Sequence, residues 1–160
     1  MNIVLALCLL LPALPAAAAV GRADPVENAF KRADRLIEKG DYQRAREELD
    51  ELHDGLKAED PRLVRYHERT GASWLREGKI PDARAAFTAA LKAAQRLKVS
   101  DDSVARAYAG MGLCLRGENN DRYALKFFRK ALEFKLDEGT RMFVDDQIRE
   151  IEGAPPVPAR

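Results

Sequence analysis

Small and large apolar residues recur along the middle of the chain in one order, three times over. Aligned on Ala45, Ala83 and Ala124, the segments EKGDYQRAREEL, REGKIPDARAAF and GENNDRYALKFF share their pattern at six positions. Twelve residues before the alanine stand Ala33, Gly71 and Gly112, and nine before it stand Leu36, Trp74 and Leu115. Five before it stand Gly40, Gly78 and Asn119. Four after it come Leu49, Phe87 and Phe128, and seven after it Leu52, Ala90 and Ala131. Apolar residues spaced by fours and threes occupy one face of a helix.

The Gly or Asn position interrupts each helical pattern. A glycine inside a helix costs roughly 1 kcal/mol against alanine, so its return in register marks a built turn. Gly and Asn are also the residues that best tolerate a left-handed backbone. Each copy is therefore predicted to be an antiparallel helix pair. Small residues on either side of the turn let the two helices approach, and Leu36, Trp74 or Leu115 fills the space beside that contact. Pro81 suits the first turn of a second helix, where its missing N–H is harmless. Asp41 and Asp121 read as N-caps or first-turn acids.

Internal repetition of a helix pair points to an all-α solenoid. The aligned alanines lie 38 and 41 residues apart, against about 34 in the common helix-pair repeat. The excess falls in HDGLKAEDPRL and RLKVSDDSV, which implies lengthened helices with stops near residues 55–61 and 99–102. Asp60-Pro61 and Ser100-Asp101-Asp102 are good helix starts. After the third copy, Val144, Ile148 and Ile151 form one apolar stripe in an otherwise charged segment. That predicts a helix capping the solenoid's last exposed face, ended by Gly153. The expectation is seven helices and no strand: three hairpins and a cap over residues 24–152. The proline-rich stretch 153–160 is left outside the core.

The first twenty residues, MNIVLALCLLLPALPAAAAV, carry no charge. Pro12 and Pro15 break the apolar run, and an alanine block follows. This predicts a secretory signal over residues 1–19, cleaved after Ala18 or Ala19, and a mature protein in a bacterial periplasm or outside the cell. The alternative is an uncleaved anchor through residues 2–20, since no Lys or Arg precedes the run. Leu5-Ala6-Leu7-Cys8 approximates a lipidation box, but Leu7 is too large and Cys8 too early for it. With Cys8 removed, only Cys114 remains. A single cysteine forms no internal disulfide, so packing must hold the fold, with Cys114 read as a buried small hydrophobe.

Charge narrows the function. Among 160 residues, 27 basic and 26 acidic ones leave a net charge of +1, so nothing global favours nucleic acid or an anionic membrane. No zinc spacing, phosphate loop or catalytic motif is present in the sequence. Asp101-Asp102 and Asp145-Asp146 read as solvated helix acids, and His53 and His67 lack a companion ligand. No enzyme activity, cofactor or metal is expected.

Small at 8, bulky at 11, Gly at 15, Ala at 20, aromatic at 24 and Ala at 27 resembles the tetratricopeptide repeat. Gly71, Trp74, Gly78, Ala83, Phe87 and Ala90 match it best. Gly112, Leu115, Ala124, Phe128 and Ala131 follow with Asn119 at the turn, and the first copy is weaker. The resemblance covers residues 26–136 and is similar to the family's long-repeat members. It implies a concave face built from each repeat's first helix, holding a partner's peptide or helix. Its positions here are Glu27, Phe30, Asp34 and Ile37; Arg65, Glu68, Ala72 and Leu75; and Arg106, Ala109, Leu113 and Arg116. The carboxylate clamp of the family's chaperone-binding members is missing, because Phe30 and Asp34 replace its Lys and Asn and Gly110 its basic residue. Arg65, Arg69, Arg76, Arg106 and Arg116 are instead expected to make this face basic and attract an acidic partner segment. The candidate groove is thus Phe30, Ile37, Arg65, Glu68, Arg76, Arg106, Leu113 and Arg116. The resulting expectation is a monomeric, non-catalytic scaffold or adaptor for another envelope protein. The alternative is an accessory or regulatory subunit of an envelope enzyme complex.

Overall fold

The computed structural model describes residues 24–153 of the chain. The expected signal over residues 1–19, its anchor alternative and the tail beyond Gly153 lie outside the described residues. Seven helices follow one another: α1 (Pro25–Glu38), α2 (Tyr42–Asp54), α3 (Leu63–Arg76), α4 (Ile80–Leu97), α5 (Asp102–Gly117), α6 (Asp121–Ala131) and α7 (Glu138–Glu152). No strand occurs among the described residues. None of the described helices is long and apolar enough to cross a membrane.

The three interruptions are one turn used three times. Gly40, Gly78 and Asn119 have φ of 80°, 81° and 59°. The next N–H, on Asp41, Lys79 or Asn120, donates to the carbonyl of Leu36, Trp74 or Leu115 at 2.9, 2.9 and 2.8 Å. The turn residue itself donates to Ile37, Leu75 or Arg116. These paired bonds satisfy the orphan carbonyls at a helix C-terminus, the Schellman arrangement. The bulky residue of the repeat is therefore both a packing group and the turn's acceptor.

Helix starts are capped unequally. Asp24, Asp101 and Asp137 accept from the N–H groups of Val26, Ser103 and Thr140. Asp41 occupies the N-cap of α2 without a side-chain bond, and Asp121 sits in the first turn of α6. The start expected at Asp60-Pro61 falls slightly later. Asp60 accepts from the N–H of Arg62 in a turn, and α3 begins at Leu63.

Packing explains the small and aromatic positions together. A Cβ on Gly71 would stand 2.8 Å from the Phe87 ring, and one on Gly112 2.6 Å from the Phe128 ring. Each glycine thus makes room for the aromatic ring of its own hairpin partner. In the first hairpin the smaller Leu49 accompanies Ala33, and both are fully buried. The hairpins stack so that α1, α3 and α5 adjoin in one layer, with α2, α4 and α6 outside them. α7 packs against α6 through the fully buried Val144, with Ile148 and Ile151 beside it. Cys114 is fully enclosed beside Phe87 and Met111, and burial pushes its thiol up to about 11.

Candidate functional site

Where α1, α3 and α5 lie side by side, charged residues cross from helix to helix. Glu27 Oε2 lies 2.7 Å from Arg65 Nη1, and Asp34 Oδ1 2.7 Å from Arg69 Nε. Asp34 also approaches Arg65, at 3.9 Å. Glu68 Oε2 stands 3.2 Å from Arg69 Nη1 and 3.6 Å from Arg106 Nε. Arg106 in turn bonds Asp102 at 2.5 Å. Four carboxylates and three arginines thus alternate across three helices, so this part of the face carries no excess of positive charge.

Glu68 sits at the centre, 2% exposed. Burial pushes its carboxyl above the usual range, and Arg69 and Arg106 oppose that push without reversing it. For Arg106, burial works against the charge, but Glu68 and Asp102 outweigh it and raise the guanidinium further. Burial also raises Asp102, yet its bond to Arg106 brings its carboxyl below the usual range. Glu68 Oε2 and the Nε atoms of Arg65, Arg69 and Arg106 are buried without a well-directed hydrogen bond. The directed bonds of the cluster run through the Nη atoms instead, from Arg65 to Glu27, from Arg69 to Glu68 and Asp34, and from Arg106 to Asp102.

This geometry corrects the expected basic groove. Arg65, Arg69 and Arg106 are neutralised within the protein. Arg116 is occupied by Gln147 and Glu150 of α7, at 2.5 and 2.9 Å. Phe30 is fully buried, with the Arg65 guanidinium carbon 4.3 Å above its ring centre, so it presents nothing to a partner. Ile37 is also buried, at 7% exposure. Arg76 alone of the five arginines is exposed and makes no ion pair among the described residues.

An open cleft of about 410 Å³ lies beside this cluster. Ala72, Leu75 and Arg76 of α3 form one wall, and Ala109, Gly110 and Leu113 of α5 form the floor. Thr140 and Phe143 of α7 form the other wall, and Glu68 with Arg106 closes one end. The Phe87 ring shows through the floor at Gly110. A smaller cleft of about 200 Å³, reaching Asp34, Ile37 and Glu38, continues from the shared residues Ala72 and Arg76. The structure thus brings Glu68, Arg76, Arg106 and Leu113 to one cleft and places Ile37 along its extension. Phe30, Arg65 and Arg116 do not line it.

Sequence reasoning treated α7 as a cap and missed its second role. Phe143 is 44% exposed and projects into the cleft. The signal was its position: it stands off the Val144–Ile148–Ile151 stripe, so it had to face another way. Chemically, the cleft offers an apolar floor, an exposed aromatic wall and one uncompensated cation. Such a lining has the chemistry to accept an apolar side chain beside an acidic group. No group of three His, Cys, Asp or Glu residues is arranged to hold a metal among the described residues.

No family model matches the sequence, and no curated protein matches it. Solved structures do resemble its fold. A tetratricopeptide-like protein from Chlorobium tepidum superposes with a TM-score of 0.63 at 17% identity, covering 79% of this chain and 94% of its own. The N-terminal domain of stress-induced protein-1 from C. elegans superposes with a TM-score of 0.59 at 14% identity, over the same shares. At these identities the likeness concerns the fold: this chain is a tetratricopeptide-like α-solenoid of three hairpins and a terminal helix.

Proposed function

We propose that the protein is a non-catalytic scaffold that holds a segment of a partner protein in the cleft between α3, α5 and α7. The observation that carries this is the cleft itself: an apolar floor at Ala109, Gly110 and Leu113, with the half-exposed Phe143 ring facing it. A single exposed aromatic is ordinary, but a recessed apolar surface with a few polar groups at its edge is the form that a partner-binding groove takes. A partner's apolar side chain fills the floor, and an acidic group beside it meets Arg76. The leader-like first twenty residues support placement in a bacterial envelope.

Two experiments test this. The protein is used as bait in the native envelope fraction beside Leu113→Arg and Phe143→Arg variants, with circular dichroism confirming equal helicity. Partners retained by the parent and lost by both variants support the cleft; partners retained by all three overturn it. N-terminal sequencing of the full chain expressed in a bacterial host checks the location. A mature start near Val20 in the periplasmic fraction is expected, and an intact Met1 in the cytoplasm sinks the envelope assignment.

A further inference from the structure

The outer side of the solenoid carries a second cleft, of about 580 Å³, between α4 and α6 over α5. It arises from unequal helices. α4 continues to Leu97, fourteen residues past Ala83, whereas α6 stops at Ala131, seven past Ala124. The last turns of α4 therefore have no α6 opposite, and Phe134 from the following connector faces α5 instead. Tyr108 of α5 stacks on Phe134 with ring centres 5.5 Å apart and lies 6.1 Å from Phe127. These three rings and Leu91 are only half-buried. Tyr123, one turn before Phe127, is 49% exposed and extends the apolar strip along α6.

The two helices that flank this cleft carry an excess of positive charge. α4 and α6 together hold seven basic and two acidic residues, whereas α2 holds two basic and five acidic. Arg84, Arg129 and Lys130 are paired with Glu118, Glu152 and Glu133. Lys92, Arg96, Arg122 and Lys126 make no ion pair among the described residues. Lys92 stands at the edge of the cleft, and Lys126 precedes Phe127.

We infer that this outer cleft docks an acidic amphipathic helix of a partner protein. Its apolar stripe enters between Leu91, Tyr108, Phe127 and Phe134, and its carboxylates meet Lys92 and Lys126. The α4 side chains on the cleft run from Thr88 to Gln95 with Lys92 between them, about 10 Å at 1.5 Å per residue, which is two turns of a docked helix. A flat anionic lipid surface meets Lys92 and Lys126 but leaves the recessed aromatic floor unfilled. A helix laid along it satisfies both.

The test uses the full chain and a synthetic 15-residue helix with leucines on one stripe and glutamates elsewhere. Its controls are a peptide with lysines in place of the glutamates, and phosphatidylglycerol vesicles. Fluorescence anisotropy of the labelled glutamate peptide is expected to show binding that weakens roughly tenfold in Lys92→Glu/Lys126→Glu, and further as salt screens the contacts. NMR shifts are expected at Leu91, Val99 and Met111. Absence of glutamate-peptide binding overturns the inference, as does equal binding of both peptides. Shifts confined to Leu75 and Leu113 assign the peptide to the inner cleft and also overturn it. Vesicle binding that the glutamate peptide does not compete away replaces the helix with a membrane surface.

Discussion

The ring of Phe87 occupies the place where a side chain on Gly110 would begin. A Cβ built there meets Cζ, Cε1 and Cε2 of that ring closer than real Cβ atoms approach anything. The ring comes from α4 and the glycine from α5, so this contact joins the second hairpin to the third and forms the floor of the inner cleft. Gly110→Ala gains up to about 1 kcal/mol of helix propensity and loses about 1–3 kcal/mol to overpacking. The expected outcome is a net loss of roughly 1–2 kcal/mol in urea unfolding. Phe87→Leu should be less damaging in the Gly110→Ala background than alone. Additive effects of the two changes would show that the ring and the missing side chain do not compete for space.

Glu68 gives the second prediction. It lies between Arg69 and Arg106 at 3.2 and 3.6 Å and is 2% exposed. Removing one member of a buried ion pair strands the other and costs about 3–5 kcal/mol. Glu68→Leu is therefore expected to lower stability by about 3 kcal/mol, softened because Asp34 and Asp102 remain beside the arginines. Glu68→Leu with Arg106→Leu should recover more than half of that loss in denaturant midpoint. No recovery in the double variant would mean that the carboxylate matters for something other than its partner's charge.

The hairpins and turns were legible because their causes are local. A glycine or asparagine at positive φ, with a bulky residue four positions before it, announces its turn within a few residues. The pairing of Gly71 with Phe87 and of Gly112 with Phe128 spans only one hairpin. The charge on the inner face was not legible in the same way, because its partners come from neighbouring repeats. Glu27 and Arg65 are 38 residues apart, as are Glu68 and Arg106, while Asp34 and Arg69 are 35 apart. Counting arginines along one helix layer made the face look basic, whereas stacking each helix on the next pairs them. The opposite signs at the equivalent positions Glu27 and Arg65 were the available clue. Phe143 was overlooked for a different reason: a terminal helix has two faces, and only the one that packs was considered.

The turns give a third prediction. Nothing lies within 4 Å of a Cβ built on Gly78, so space is not the obstacle to a side chain there. The obstacle is φ, at +81°. Gly78→Ala is expected to lose about 1 kcal/mol, the cost of placing a Cβ in a left-handed conformation. Asn119 already bears that geometry at φ 59°, and Asn119→Gly should be neutral or mildly stabilising. Thermal unfolding of the two variants separates strain from contact. A Gly78→Ala protein as stable as its parent would show that the turn relaxes freely.

The fourth prediction concerns pH. His67 of α3 packs among the Tyr66 ring at 4.8 Å between centres, the His53 ring of α2 at 6.3 Å, and Arg96 of α4. Burial, then the His53 and Arg96 charges, lower its imidazole below the ordinary 6.5. The unfolded chain therefore binds this proton more readily than the folded one. The associated stability is fully present above pH 6.5 and is lost as pH falls below it. Asp102 and Asp137, lowered from 3.8, lose their contributions in a separate and more acidic window. Glu68, raised from 4.5, acts with the opposite sign, since its contribution weakens as pH rises above that value. The informative quantity is thus the difference between parent and His67→Gln in urea unfolding at pH 7.5 and pH 5.5. The parent is expected to lose more stability than the variant over that interval. Equal losses would mean that His67 titrates alike in the folded and unfolded chains, and that its packing between α2 and α3 leaves its proton affinity unchanged.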